Sequence, residues 1–375
     1  MEKKSRGHGS FCISMKAVNM LLANKATALQ IGAYLTLARF TSDDNRFSTA
    51  SLKAIYNATG ASNMKGGTAE RVVDEICKIK STDWHDTKRP YVLYPAASWA
   101  KSSKEALPEI PHGLHRVHYV VNDFGDDRKV WFPNSLVDGI GKFTQPLKRL
   151  RQLGDVAARL LLLMYARHDM IEHGGLPPYH NVYQAYKTIP LSRNFGCSFW
   201  RAEATTPIVS NQMAFPALGI TEWPDKQSEE DKQESLFFDA LQALDTQGFI
   251  NEVVTVMDRA PDKPDGQPLY ILHTKERHGE ADTSLDLAEF IDTITEEITG
   301  TRAADSLGRF NGKYSAIVVA GEIHVVGIYR LRFRISNKRN HGISQAWERM
   351  REDHSNMIEV LRGLCDRADG TQNDR

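Results

Sequence analysis

The alternation of apolar and polar positions is most regular over residues 24–95, where it predicts three helices followed by a β-hairpin. The first helix covers residues 26–39. Its apolar positions recur with helical spacing and form one stripe: Leu29, Ala33, Leu37 and Phe40. The second helix covers residues 50–57. Ser48 or Thr49 is its predicted N-cap, because a side-chain oxygen there can accept a hydrogen bond from a free backbone N–H.

A third helix has its apolar positions on one side: Ala69, Val72, Val73, Ile76 and Ile79. It begins at either Ser62 or Thr68, because Gly66 and Gly67 between them are poor helix formers. Residues 81–88 are polar and residues 89–94 are rich in β-forming side chains, which predicts a wing and its return strand. The complete order predicts a winged helix-turn-helix.

Such a module predicts DNA binding for a geometric reason. A short turn between two helices lets the second helix protrude, and a protruding helix fits the major groove of duplex DNA. Lysine and arginine on that helix neutralise phosphates, while serine, threonine and asparagine near its start reach base edges. Residues 1–80 carry 12 basic and 6 acidic side chains, which favours this interpretation. The alternative is a protein-docking module, which would expose an apolar patch in place of the cations.

Residues 130–275 repeat this order in a stretched form. Helices are predicted over residues 155–171, 181–187 and 229–246, and strands over residues 249–257 and 269–273. An insertion rich in aromatic residues and proline, residues 190–225, separates the second of these helices from the third. The pattern therefore predicts a second winged-helix-like module.

The third helix of this second module begins with the acidic run Glu229, Glu230 and Asp231. Carboxylates in a first turn complement the helix dipole, but they would repel phosphates. We therefore predict a structural or protein-facing role for the second module. If the module does hold DNA, the better candidates are the cations before its long first helix: Lys142, Lys148, Arg149 and Arg151.

The C-terminal third is predicted to contain helices over residues 285–298 and 343–365 and strands over residues 314–320 and 322–328. Residues 329–336 then alternate apolar side chains with arginine. On a strand, Arg330, Arg332 and Arg334 would point to one face at intervals of about 6–7 Å, as a ladder that follows phosphates. The alternative is an exposed sheet face paired with the acidic stretch 221–300, which has 20 acidic and 6 basic residues.

The length of 375 residues, with 41% apolar and 25% charged residues and no net charge, predicts a globular protein of two or three domains. We predict an α+β fold with two winged helix-turn-helix domains in tandem and a C-terminal α+β region. The predicted domains are residues 1–105, residues 106–280 with the insertion at 190–225, and residues 281–375. The last of these would supply the basic strand and self-association.

The motifs of common enzymes are missing from the sequence. It contains no GxxxxGK[ST] phosphate loop, no HExxH zinc motif and no GxSxG nucleophile elbow. His112, His115 and His118 are three residues apart, but their β-forming neighbours argue against a helical metal site. We predict no enzymatic activity, no catalytic residue, no cofactor and no metal. A site on the aromatic insertion between Phe195 and Trp223 is the remaining enzymatic alternative.

Cysteine usage and the N-terminus predict a cytoplasmic location. The four cysteines form no CxxC pair, which suits free thiols in a reducing compartment. The first ten residues are charged and precede no apolar signal segment. The longest apolar run, residues 160–166, is far too short to span a bilayer, so no membrane partner is predicted.

The first module resembles the winged helices of bacterial mobile-element proteins. The resemblance rests on residues 34–39, Tyr-Leu-Thr-Leu-Ala-Arg, and on residues 47–52, Phe-Ser-Thr-Ala-Ser-Leu, which precede Gly60. The tandem arrangement is similar to that of plasmid and phage replication initiators. This similarity covers residues 12–95 well and residues 130–275 loosely. The resemblance implies binding to an origin or operator by two winged helices on successive grooves.

We therefore predict a sequence-specific double-stranded DNA-binding protein of mobile-element type, a replication initiator or a transcriptional regulator. The alternative is a protein-interaction or assembly factor that uses its winged helices for docking. The expected partners are double-stranded DNA and further copies of the chain. The predicted DNA contacts are Ser62, Asn63, Lys65, Thr68, Arg71, Lys78, Lys88, Arg89, Arg330, Arg332, Arg334, Lys338 and Arg339.

Overall fold

The computed structural model of the chain combines helices with antiparallel sheets, so the predicted α+β class is confirmed. It describes residues 9–41, 47–62, 66–81, 91–95, 119–121, 128–140, 144–169, 175–194, 197–209, 227–263, 266, 268–274, 313–318, 324–333, 356 and 359. The chain divides into two compact units. The first comprises Met1–Ala166, Ala214–Phe249 and Phe333–Asn337, and the second comprises Arg167–Met213, Ile250–Arg332 and Lys338–Arg375.

The first compact unit begins with strand β1 (Ser10–Ser14), helix α1 (Met15–Ala23) and helix α2 (Ala28–Arg39). Thr27 and Gln30 form a capping box at the start of α2, which satisfies two backbone N–H groups. Every residue from 31 to 38 is buried, so α2 is covered on all sides. The buried surface of α2 is therefore wider than the predicted single stripe. Within that stripe, Ala33 and Leu37 are fully buried, whereas Leu29 and Phe40 are half-buried.

Helices α3 (Leu52–Thr59) and α4 (Thr68–Ile76) follow α2 and pack against it. The predicted N-cap of the second helix is wrong, because Ser51, not Ser48 or Thr49, accepts a hydrogen bond from the N–H of Ala54. The Ser48 hydroxyl instead donates to the carbonyl of Leu37.

Of the two predicted starts for the third helix, the structure has Thr68. Gly66 has a φ of 66°, in the left-handed region that glycine adopts without strain, and this breaks the helix before Thr68. The predicted apolar side of the helix, from Ala69 to Ile79, is buried.

A three-stranded antiparallel sheet accompanies these helices. Its strands are β2 (Phe47–Ser48), β3 (Leu93–Pro95) and β4 (Tyr119–Val121), in the spatial order β2-β4-β3. An isolated bridge between Lys80 and Tyr91 joins the residues on either side of the predicted wing. The strand that pairs with β3 is β4, which the chain reaches only after residues 96–118. The predicted return strand at residues 89–94 therefore differs from the structure: the strand there, β3, pairs with β4, which lies beyond residue 95.

The first compact unit contains one further strand and four further helices among the described residues. Strand β5 (Lys129–Pro133) pairs with β1, and helices α5 (Ser135–Asp138), α6 (Pro146–Leu153), α7 (Asp155–Arg167) and α8 (Gln227–Thr246) follow. Helix α7 ends at Arg167, four residues before its predicted end at 171. On α8 the predicted apolar side is buried from Phe237 to Leu244, but Leu236 is exposed.

Helix α7 holds the turn between α1 and α2 through two charged side chains. Oδ1 of Asp155 accepts a hydrogen bond from the N–H of Ala28 at 2.7 Å, at the first turn of α2. One turn further along α7, Nη1 of Arg159 donates to the carbonyls of Lys25 and Ala26, both at 3.1 Å. The carboxylate of Asp155 therefore lies at the positive N-terminal end of α2. The guanidinium of Arg159 satisfies the carbonyl oxygens just after α1. Arg159 is buried, and burial lowers its pKa while Asp155 raises it.

The second compact unit is built on a six-stranded antiparallel sheet with the order β10-β7-β6-β11-β8-β9. Its strands are β6 (Val182–Asn194), β7 (Cys197–Val209), β8 (Ile250–Met257), β9 (Pro268–Thr274), β10 (Lys313–Val318) and β11 (His324–Leu331). The predicted strands at 249–257 and 269–273 are confirmed as the hairpin β8–β9. The predicted strands at 314–320 and 322–328 are confirmed as β10 and β11, although they pair with other strands.

The helix predicted over residues 181–187 is wrong, because this segment is the first half of strand β6. It contains the β-forming residues Val182, Tyr183 and Tyr186, and strands β7 and β11 pair with it on either side. The predicted insertion at 190–225 contributes strand β7 to the same sheet. The segment therefore belongs to a sheet, and the order of a winged helix does not repeat there.

Gly327 in strand β11 leaves room for the side chain of Glu252 to pass over that strand. Oε1 of Glu252 on β8 accepts a hydrogen bond from the hydroxyl of Tyr186 on β6 at 2.6 Å, although β11 lies between the two strands. A Cβ atom on Gly327 of β11 would overlap the Glu252 carboxylate and lie 2.6 Å from Cβ of Gln184. Glycine is therefore required at 327 for the hydrogen bond between the half-buried Tyr186 and the buried Glu252 to form.

The predicted domain boundaries near residues 105 and 280 lie outside the described residues, as does the helix predicted over residues 285–298. Of the last predicted helix, only Asn356 and Glu359 are described, and both are helical. Among the residues that the structure describes, no helix is both long and apolar enough to cross a membrane.

Candidate nucleic-acid interface

Helices α3 and α4 occupy the segment in which the sequence predicts a helix-turn-helix. Helix α3 buries Ile55 and Ala58 and ends at Gly60, whose φ of 72° turns the chain out of the helix. Near the start of α4, the N–H of Ala69 donates to the carbonyl of Ser62 at 2.8 Å. The Glu70 carboxylate accepts from the N–H of Gly66 at 2.7 Å. Local hydrogen bonds therefore tie Ser62 and Gly66 to the first turn of α4.

The solvent face of α4 is charged at every exposed position. Its buried side consists of Ala69, Val72, Val73 and Ile76. The exposed residues of the helix are Glu70, Arg71, Asp74 and Glu75, and the exposed Lys78 follows its end. Nε2 of Gln30 on α2 donates to Glu75 at 3.1 Å. The helix therefore carries one cation, Arg71, among three carboxylates, and Lys78 adds a second cation after the end of the helix.

The structure brings several of the predicted DNA contacts together on one element. Thr68 and Arg71 lie on α4, Ser62 precedes it and Lys78 follows it. Arg71 and Lys78 are exposed, whereas Ser62 and Thr68 are half-buried. The other predicted contacts of this module lie outside the described residues: Asn63, Lys65, Lys88 and Arg89.

The predicted arginine ladder differs from the structure. Strand β11 ends at Leu331, and Arg332 lies in a bend, so the strand that was to carry the ladder stops after its first member. Arg330 is buried at 9% exposure, because every residue from Val325 to Leu331 is buried and β11 is therefore covered on both faces. The expectation that Arg330 is exposed is therefore wrong. Arg334, Lys338 and Arg339 lie outside the described residues.

A thiol at the end of α4 is shielded from ionisation. Cys77 is half-buried directly after the helix, and burial together with the nearby Asp74 carboxylate raises its pKa to about 12. Cys12 and Cys77 form no disulfide, as the sequence predicts. Cys77 is therefore protonated and a poor nucleophile at neutral pH.

A second basic surface lies at α6, which the sequence analysis assigned to another module. Lys148, Arg149 and Arg151 are exposed, and Leu147 and Leu150 between them are buried. Nη1 of Arg151 donates to the carbonyl of Thr59 at 3.5 Å, at the end of α3. The alternation of leucine and cations indicates an amphipathic helix, but the sequence carries no signal that it packs against α3.

The described residues contain no group of three histidine, cysteine, aspartate or glutamate side chains placed to hold a metal ion. No protein-family model, curated protein or solved structure matches the chain. A functional interpretation therefore rests on the physical chemistry of the chain's own residues.

Proposed function

We propose that the chain is a sequence-specific double-stranded DNA-binding protein whose α3–turn–α4 segment enters the major groove. The observation that carries this proposal is the order α2–β2–α3–α4–β3–β4 together with the sheet order β2-β4-β3. A three-helix bundle closed by a small antiparallel sheet, with its first strand against its last, is the arrangement of a winged helix. This order supports the same interpretation that the sequence pattern suggested.

The composition of the α4 surface argues against an apolar protein partner, and its cation Arg71 is the group that supports binding of nucleic acid. A docking helix would expose apolar side chains, whereas every exposed position of α4 is charged. Arg71 lies on the second turn of the helix, within reach of bases and phosphates if the N-terminal half of α4 enters the groove. Ser62 and Thr68 at its start are polar and offer hydrogen bonds to base edges or phosphates. Arg71 is therefore the residue on which we expect specificity to depend most.

The proposal includes a role in replication initiation or transcriptional regulation, self-association and a cytoplasmic location. Replication initiation and transcriptional regulation both require a protein that recognises one DNA site, and self-association would place two such modules on repeated sites. A cytoplasmic location fits the absence of a disulfide at Cys12 and Cys77. Arg332, half-buried after β11, remains a candidate phosphate contact.

The test is selection of bound sequences from a pool of random duplexes, with binding measured as salt is raised. The expected result is enrichment of one motif by the wild-type protein and loss of that enrichment in the Arg71→Ala variant. Lys129→Ala is the matched control, because Lys129 is an exposed cation on β5. Enrichment that survives in Arg71→Ala would contradict the assignment of α4 as the reading helix.

A second candidate function is protein docking through charged contacts. The mixed charge of α4, in which Glu70, Asp74 and Glu75 surround Arg71, favours it over docking through apolar contacts. Under this alternative the protein binds no duplex even at low salt, and cross-linking from a cysteine introduced at Glu70 yields a protein partner instead of DNA.

A further inference from the structure

We propose that a surface formed by α3 and α6 holds the phosphodiester backbone of duplex DNA, independently of base sequence. This α3–α6 surface consists of Lys53, Tyr56, Lys148, Arg149 and Arg151. The proposal rests on the proposed function for the class of partner. It assigns the backbone contacts to a helix that lies outside the winged-helix module.

The first argument is the distribution of charge on α6. The helix sequence Pro-Leu-Lys-Arg-Leu-Arg-Gln-Leu contains three cations and no carboxylate. Leu147 and Leu150 are each 1% exposed, and they hold the helix to the protein while its three cations face solvent. Burial of the leucine side therefore fixes the direction in which the charges point.

The second argument is the position of α6 beside the helix-turn-helix. A Cβ atom at Gly60 would lie 3.3 Å from Cδ of Lys148, so the alkyl chain of that lysine lies over the first residue of the turn between α3 and α4. Arg151 reaches the last residue of α3 through its contact with the Thr59 carbonyl. The cations of α6 therefore stand at the turn that brings α4 to the groove.

The third argument is the character of α3 itself. Its exposed residues are Lys53, Tyr56 and Asn57, and the helix contains no carboxylate. Tyr56 is 46% exposed, and its hydroxyl can donate to a phosphate oxygen. On α4, by contrast, three carboxylates stand beside one arginine. The α3–α6 surface itself therefore carries cations and no carboxylate, and we assign non-specific affinity to that surface.

The experiment measures binding to a random-sequence duplex of about two helical turns by fluorescence anisotropy between 50 and 200 mM salt, roughly the range over which phosphate contacts are lost. The variant is Lys148→Gln with Arg149→Gln, which removes two charges and leaves the Arg151 contact with Thr59 intact. The control is Lys129→Gln with Lys187→Gln, which removes two exposed charges from strands β5 and β6. Thermal melting of each variant checks that the fold is kept.

The expected result for the variant is a rise in Kd of about tenfold at 100 mM salt and a decrease in the salt slope by about 2. The control should match wild type. Equal losses in variant and control, or no loss in either, would overturn the proposal. So would binding of polyglutamate in preference to the duplex, or failure of the wild type to bind duplex at low salt.

The outcome separates this proposal from the proposed function. Random duplex held through Lys148 and Arg149, with no motif enriched, would leave the α3–α6 surface standing and remove the sequence-specific reading. A motif that depends on Arg71, with an unchanged salt slope in the Lys148→Gln, Arg149→Gln variant, would do the reverse.

Discussion

Replacement of Arg159 by methionine should destabilise the first compact unit strongly, because this one side chain satisfies two carbonyls at the α1–α2 turn. Both hydrogen bonds, to Lys25 and Ala26, are 3.1 Å long and have a charged donor. Each such bond contributes about 1.5–3 kcal/mol, so the gross loss is about 3–6 kcal/mol. Methionine keeps the packing of the aliphatic stem and removes a cation that is costly to bury, as its lowered pKa indicates. The expected net loss is about 2–4 kcal/mol.

The measurement is urea unfolding followed by circular dichroism, with the free energy of unfolding taken from the transition of the first compact unit. Asp155→Asn is the partner variant, because asparagine still accepts the hydrogen bond from Ala28 but loses the charge at the start of α2. It should cost about 0.5–1 kcal/mol. The double variant reports how far the two side chains are coupled. A loss below about 1 kcal/mol for Arg159→Met would refute the reasoning, since the carbonyls would then have other partners.

Three further predictions concern stability. Gly327→Ala should cost about 1–3 kcal/mol in chemical denaturation, because its Cβ would displace the Glu252 carboxylate from Tyr186; a neutral result would contradict the close packing. Ser51→Ala should cost about 1 kcal/mol, because it removes the N-cap of α3, and an unchanged melting temperature would show that another group takes over. The raised pKa of Cys77, about 12 in the fold, means that the folded state keeps the thiol proton after the unfolded chain has lost it. The contribution of Cys77 to stability should therefore be complete below about pH 8.5 and should fall as pH rises toward 12, and Cys77→Ala should flatten that fall.

The sequence by itself determined the local elements of the first module. Apolar spacing located α2, α3 and α4 because a helix that packs on one side must repeat its buried positions every three to four residues. The sequence also showed the cations of α6 directly, and a run of β-forming residues on each side of a turn predicted the strands β8 and β9. The α3 cap was misplaced by two or three residues, because several hydroxyl side chains stand together there and only the fold decides which one lies within hydrogen-bonding distance.

Tertiary structure decided whatever depends on residues far apart in the chain. Residues 181–187 fit a short helix in isolation, but pairing with β7 and β11 makes them a strand. Arg330 looks like part of an exposed ladder because a strand alternates its side chains, yet every residue from Val325 to Leu331 is buried, so both faces of β11 are covered in the fold. Lys148 reads as a charge of a later module, and only the packing of α6 on α3 places it over Gly60. The periodicity of the sequence shows which side of a helix or strand is apolar. The neighbouring elements in the fold determine what each of its sides contacts.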